Sequence, residues 1–126
     1  MSAAEVVAAW HDALNAGDVD RLVRLSTDDV EVGGPRGAGR GAALLREWVE
    51  RARIELEPGR VFQGGERVVV EQRAGWLAPE TDRLTDPIVV ASAFLARAGR
   101  VASVIRHPDL PAALGAAGLT EADELP

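Results

Sequence analysis

The sequence predicts an α+β domain: a curved antiparallel sheet wrapped, cone-like, around three helices of the N-terminal half. Three observations predict it. Apolar residues recur at helical spacing through most of the first fifty positions. From Ile54 the period changes to two, the spacing of a strand with one buried face. Tight-turn signals at Gly64-Gly65 and Ala98-Gly99 then join long strands as antiparallel neighbours. A sheet curved in this way, covered by helices on its concave face, leaves a cavity in which a small apolar ligand can sit.

The elements follow in order. Ser2 and Glu5 have capping-box spacing and open a helix that runs to about Ala16. Val7, Trp10 and Leu14 form its apolar stripe, with Ala3 above them. Gly17 stops it. Asp18 caps a second, short helix whose apolar set is Val19, Leu22, Val23 and Leu25. Asp29 to Val32 alternates as a short strand. Residues 33–41 form a glycine-rich loop that lacks both the Lys-Ser/Thr ending of a phosphate loop and the G-x-G-x-x-G spacing. Ala42 to Ala52 is the third helix, with Leu44, Leu45, Trp48 and Ala52 facing in. Arg46/Glu50 and Glu47/Arg51 pair on its wet side.

Ile54 to Glu57 alternates, Pro58-Gly59 bends the strand, and Arg60 to Gln63 continues it. Glu66 to Leu77 is one long strand. Its start, Val68-Val69-Val70, is β-branched, and Glu71 and Arg73 fall two apart on one face of the pleat. Residues 78–87 form a polar loop. Ile88 to Arg97 and Arg100 to His107 are the last two strands. Asp109 caps a closing helix, Leu110 to Ala117, which Gly118 ends. Residues 1–119 are read as one domain, and residues 120–126 as a loose acidic tail.

Composition narrows the function classes. The chain has 126 residues, a formal charge of −6 and a pI near 4.9. An acidic chain without a basic, aromatic-interleaved patch is a poor partner for nucleic acid. No apolar run is long enough to span a bilayer, and no signal peptide is visible, so a cytoplasmic location is expected. Cysteine is absent, which excludes disulfides and thiolate nucleophiles. All 14 basic residues are Arg, which excludes a lysine Schiff base, and the lack of Tyr removes a phenolic acid. The two histidines, His11 and His107, have no metal-binding spacing, so neither metal nor cofactor is expected. His11 is read as helix-surface or interface packing. His107 is read either as a base oriented by Asp109 or as an edge residue beside a helix cap.

Several segments together carry a family resemblance. They are Val6-Val7 to Trp10, then Ala13-Leu14-Asn15-Ala16-Gly17-Asp18, then Val19 to Val23. Asp28-Asp29-Val30, the run Gly39 to Trp48, and the ending Gly99-Arg100-Val101 through Arg106, His107 and Asp109 complete the set. In this order they resemble the nuclear transport factor 2-like (cystatin-like cone) superfamily, and within it the SnoaL-like and ketosteroid isomerase-like branch. The resemblance covers nearly the whole chain and implies the cone fold. It implies little about reaction, because the fold hosts isomerases, cyclases, dehydratases, epoxide hydrolases and binders.

Ketosteroid isomerases use a basic Asp, a Tyr and a protonated Asp. By the resemblance those three positions fall on Gly34, Trp10 and Ser92. Gly34 cannot take a proton, so that mechanism is not expected, although Trp10 and Ser92 could still donate hydrogen bonds. The resemblance also turns Val69, Glu71, Arg73 and Gly75 toward the cone, together with Val104 and Arg106. Periodicity alone points the other way, because Val68, Val70 and Trp76 would make an apolar inner face.

On the first placement, Glu71 is the candidate base, with Arg73, Arg106 and Ser92 stabilising an oxyanion. Trp10, Leu14, Val32, Trp48, Val69, Phe94 and Val104 are the candidate ligand-binding wall. The expected ligand is a small apolar organic molecule bearing a carbonyl or anionic oxygen. The activity would be that of a cofactor-free isomerase, cyclase or dehydratase, or an epoxide hydrolase-like water activation; the alternative is a non-catalytic ligand-binding or dimerisation module. Val68, Val70 and Trp76 would then lie on the convex face as a homodimer surface.

Overall fold

The computed structural model describes residues 1–76 and 87–126. In chain order these form α1 (Ala3–Asn15), α2 (Val19–Arg24), β1 (Ser26–Gly34), β2 (Gly37–Arg40), α3 (Ala42–Ala52), β3 (Ile54–Gly64), β4 (Arg67–Trp76), β5 (Ile88–Arg97), β6 (Arg100–His107) and α4 (Leu110–Ala117). A 3-10 turn follows at Glu121–Asp123. The α+β class and the helix and strand order are those the sequence predicts, with one strand added. Leu77 and nearly all of the expected loop 78–87 lie outside the described residues.

The sheet has six strands in the order β2-β1-β6-β5-β4-β3. β3 to β6 form an antiparallel meander. β1 then joins β6 in parallel, and β2 folds back on β1. The added strand, β2, comes from the glycine-rich loop, and glycine is what allows it. A Cβ at Gly33 would lie 2.5 Å from the Cβ of its register partner Ala38. Only a residue without a side chain permits that approach.

α1 begins with the expected capping box: the Ser2 hydroxyl accepts from the Glu5 amide at 3.1 Å, and the Glu5 carboxylate accepts from the Ser2 amide at 2.9 Å. Its stripe of Val6, Val7, Trp10, Ala13 and Leu14 is buried. It packs on the inner sheet face, against Val68, Val70, Ala74, Val90, Phe94, Val101 and Val104 among others. A second apolar cluster lies on the outer face. There α4 covers Phe62, Val69 and Ala91 with Leu110, Ala113, Leu114 and Ala117.

These two clusters correct the face assignment of β4. Val68, Val70, Gln72, Ala74 and Trp76 point inward, while Val69, Glu71 and Arg73 point outward. The inward placement of Glu71, Arg73 and Val69 implied by the resemblance is therefore reversed. The placement of Val68, Val70 and Trp76 on the convex face is corrected for the same reason: Val68 and Val70 are fully buried beneath α1, and Trp76 packs against that same core.

The acidic tail, expected to be loose, is tied to β3. Arg60 donates to the carboxylates of Glu121 and Glu124. The Leu125 amide donates to the Val61 carbonyl, and Glu124 forms a strand bridge with Phe62. Backbone pairing of this kind covers part of the exposed edge of β3.

Candidate functional site

A cavity of about 470 Å³ opens between α3, the β1–β2 hairpin and the inner sheet face. One wall is apolar: Leu44 and Trp48 from α3, Ile54 and Leu56 from β3, and Val32 and Val104 from β1 and β6. The hairpin residues 33–37, GGPRG, form its rim. The polar groups are Ser92, Arg106, Arg51 and Arg36.

Each polar group is placed by its element. Ser92 and Arg106 are register partners on β5 and β6, so they stand side by side on the inner face. Directly opposed antiparallel residues have Cβ atoms about 4.5–5.5 Å apart. The Arg106 guanidinium lies 5.7 Å from the centre of the Trp76 ring, a cation–π contact that holds it across the sheet. Among the described residues Arg106 has no carboxylate partner. Gly34 is also its neighbour: a Cβ there would meet the Arg106 Cβ and Nε at 3.8 Å. Arg51 pairs with Glu47 at 3.5 Å on the wet side of α3, as its spacing predicts.

Behind Ser92 runs a buried polar chain. The Ser92 hydroxyl donates to the Gln72 side-chain oxygen at 2.8 Å. The Gln72 side-chain nitrogen lies 2.8 Å from His11 Nε2, and His11 Nδ1 lies 2.8 Å from the Val7 carbonyl oxygen. A carbonyl only accepts, so Nδ1 carries a proton. Burial pushes the His11 pKa below its usual value, partly opposed by the Val7 hydrogen bond and by Asp12. The ring is neutral, and its bare Nε2 accepts from the Gln72 amide. His11 is thus a core residue wedged against Trp10 and Phe94, correcting its reading as helix surface.

The candidate residues divide accordingly. Ser92, Arg106, Val32, Trp48 and Val104 meet at the cavity. Trp10, Leu14 and Phe94 are buried in the core beneath it. The Trp10 indole nitrogen donates to the Ser26 hydroxyl at 3.1 Å, so its hydrogen bond stays inside the core. Glu71, Arg73 and Val69 are on the other side of the sheet. His107 pairs with the outward-facing Ala91, and Asp109 caps α4 by accepting from the Ala112 amide at 2.9 Å. The sequence reading missed the hairpin rim, Arg51, and the Gln72–His11 pair. Gln72 and His11 are separated by 61 positions and share no motif, so only the fold brings them together.

Residues 7–104 match the family model of the SnoaL-like domain. The chain belongs to the SnoaL-like family. Solved structures agree with the fold of this SnoaL-like chain. An uncharacterised cystatin-fold protein from Novosphingobium aromaticivorans is 25% identical, with a TM-score of 0.73 over 84% of this chain and 97% of its own. A candidate polyketide cyclase from Sinorhizobium meliloti is 24% identical, with a TM-score of 0.67 over 81% of this chain and 93% of its own. The epoxide hydrolase/cyclase-like enzyme SalBIII, of pyran ring formation in the polyether salinomycin, is 23% identical; its TM-score is 0.75 over 86% of this chain and 92% of its own. No curated protein matches the sequence. Among the described residues no group of His, Asp and Glu is placed to hold a metal ion, and no helix is long and apolar enough to cross a membrane.

Proposed function

We propose that this SnoaL-like protein binds a small, mostly apolar organic molecule through an anionic or carbonyl oxygen held by Arg106. One observation carries the reading: a guanidinium on the cavity wall that rests against the Trp76 ring and has no carboxylate partner among the described residues. A fixed cation beside an apolar wall favours an oxygen anion attached to an apolar body. The cavity volume falls within the range of about 300–1,000 Å³ common to small-molecule sites. The ligand's apolar part would lie along Trp48, Leu44, Val32 and Val104.

A catalytic reading is favoured by the names of two relatives, a candidate polyketide cyclase and an epoxide hydrolase/cyclase-like enzyme. In a cofactor-free isomerisation, cyclisation or dehydration, Arg106 would polarise the carbonyl. Such a reaction also needs a base, and epoxide opening needs a group that activates water. The described residues lining the cavity include neither a carboxylate nor an imidazole. Binding is therefore the reading that this geometry supports best.

Titration calorimetry with decanoate tests it, since decanoate offers one carboxylate and an apolar body. Arg106→Gln removes the charge but keeps a donor. Loss of a charge-assisted hydrogen bond of about 1.5–3 kcal/mol should weaken binding about 10- to 150-fold. Equal affinity in wild type and Arg106→Gln would reject Arg106 as the anchor.

A further inference from the structure

The buried chain behind Ser92 fixes the direction in which its hydroxyl donates. The Val7 carbonyl can only accept, so it sets the proton on His11 Nδ1. The neutral ring then offers only a lone pair at Nε2, which sets the Gln72 amide with its nitrogen toward His11. The Gln72 oxygen is left toward Ser92 and takes the hydroxyl proton. Every link is buried: His11, Gln72 and Ser92 are at most 2% exposed. Reversing the chain would require protons on both ring nitrogens, a charged imidazole in an apolar core.

A serine hydroxyl has one proton and two lone pairs. With its proton held by Gln72, Ser92 meets the cavity only as an acceptor. Its neighbour Arg106 meets the cavity only as a donor. The site therefore places one acceptor and one cationic donor side by side on the inner sheet face.

We propose that Ser92, oriented by Gln72 and His11, selects ligands carrying a hydroxyl within a few bonds of the oxygen that Arg106 holds. The inference rests on the binding reading above and refines its ligand class to hydroxy acids or hydroxy carbonyl compounds. The ligand hydroxyl donates to Ser92 while its acidic or carbonyl oxygen accepts from Arg106. A ligand with an ether or second carbonyl at that place would set lone pair against lone pair, leaving both acceptors without a donor. Gln72 and His11 act as positioning residues: they touch no ligand, but they decide the polarity of the group that does.

Three probes separate the outcomes: decanoate, 3-hydroxydecanoate and 3-methoxydecanoate, titrated into the full-length protein. Wild type should bind the hydroxy acid about tenfold more tightly than either of the others, the scale of one well-placed hydrogen bond in a closed site. Ser92→Ala should bring the hydroxy and methoxy acids to within about twofold of each other. Gln72→Met frees the Ser92 proton and should likewise narrow that ratio, an effect that a purely structural role for Gln72 would not produce. Where Gln72→Met does not fold, the Ser92→Ala ratio decides alone. Equal binding of the hydroxy and methoxy acids by wild type, or a preference that survives Ser92→Ala, overturns the proposal. Failure of decanoate itself to bind overturns the binding reading and this inference with it. Decanoate binding that depends on Arg106, without a gain from the hydroxyl, overturns the inference alone.

Discussion

Arg106 and Gly34 are neighbours on the cavity wall, and on the proposed binding reading they decide together how the cavity treats an anion. Gly34 has no side chain, and a Cβ there would sit in ordinary contact with Arg106. Its backbone is not in the left-handed region, so an L-residue is sterically acceptable. Gly34→Asp should place a carboxylate against the guanidinium and neutralise the anchor from within. Decanoate affinity should fall at least about tenfold, as charge-assisted binding is lost to an internal competitor. Unchanged affinity in a calorimetric titration would show that Arg106 is not where the anion binds. At this scale the sequence was partly legible. The inward direction of Ser92 and Arg106 could be read from the resemblance. Glu71 and Arg73 could not be placed, because an acid and a base two apart look the same on a wet face and in a pocket. The orientation of the Ser92 proton was out of reach, since it depends on a histidine 81 positions away in sequence.

β4 is the element on which the sequence and the structure differ most. An alternating pattern identifies an inner face only when the other face is wet. Here Val68, Val69 and Val70 are all buried, because α1 covers one side of the strand and α4 the other. The run is apolar on both faces, so its own pattern does not set its phase, and a one-residue slip carries every side chain across the sheet. The inward placement of Val68, Val70 and Trp76 is the one to which periodicity alone points. α1 was legible in detail, down to its capping box. Asn15, in the Ala13-to-Asp18 stretch of the resemblance, has a structural role: its side-chain amide donates to the Leu56 carbonyl at 2.7 Å and accepts from the Leu56 amide at 2.9 Å. It thereby substitutes for a missing neighbour strand at the edge of β3. Asn15→Ala should destabilise the fold by about 1–3 kcal/mol, the cost of leaving part-buried backbone groups unpaired. Urea denaturation checks this, and a loss below the error of the extrapolation would contradict the bridging role.

The whole molecule is a sheet with two unequal coats. α1 and its neighbours fill most of the inner face, and α4 covers the middle of the outer one. The inner coat leaves space over Val32, Ser92, Val104 and Arg106, and the cavity lies there beneath α3 and the hairpin rim. The class, the helix order and the four-strand meander follow from period changes and turn signals. The parallel β1–β6 pairing and the docking of the tail do not, because both join segments far apart in sequence without a local signal. The proposed function requires that an anionic oxygen bind inside this cavity at Arg106. A structure of the protein with decanoate tests that most directly. The carboxylate is expected within hydrogen-bond distance of the Arg106 guanidinium, with the chain lying along Trp48 and Val104. A carboxylate bound on the outer face beside Arg73, with the cavity empty of ligand, would contradict it.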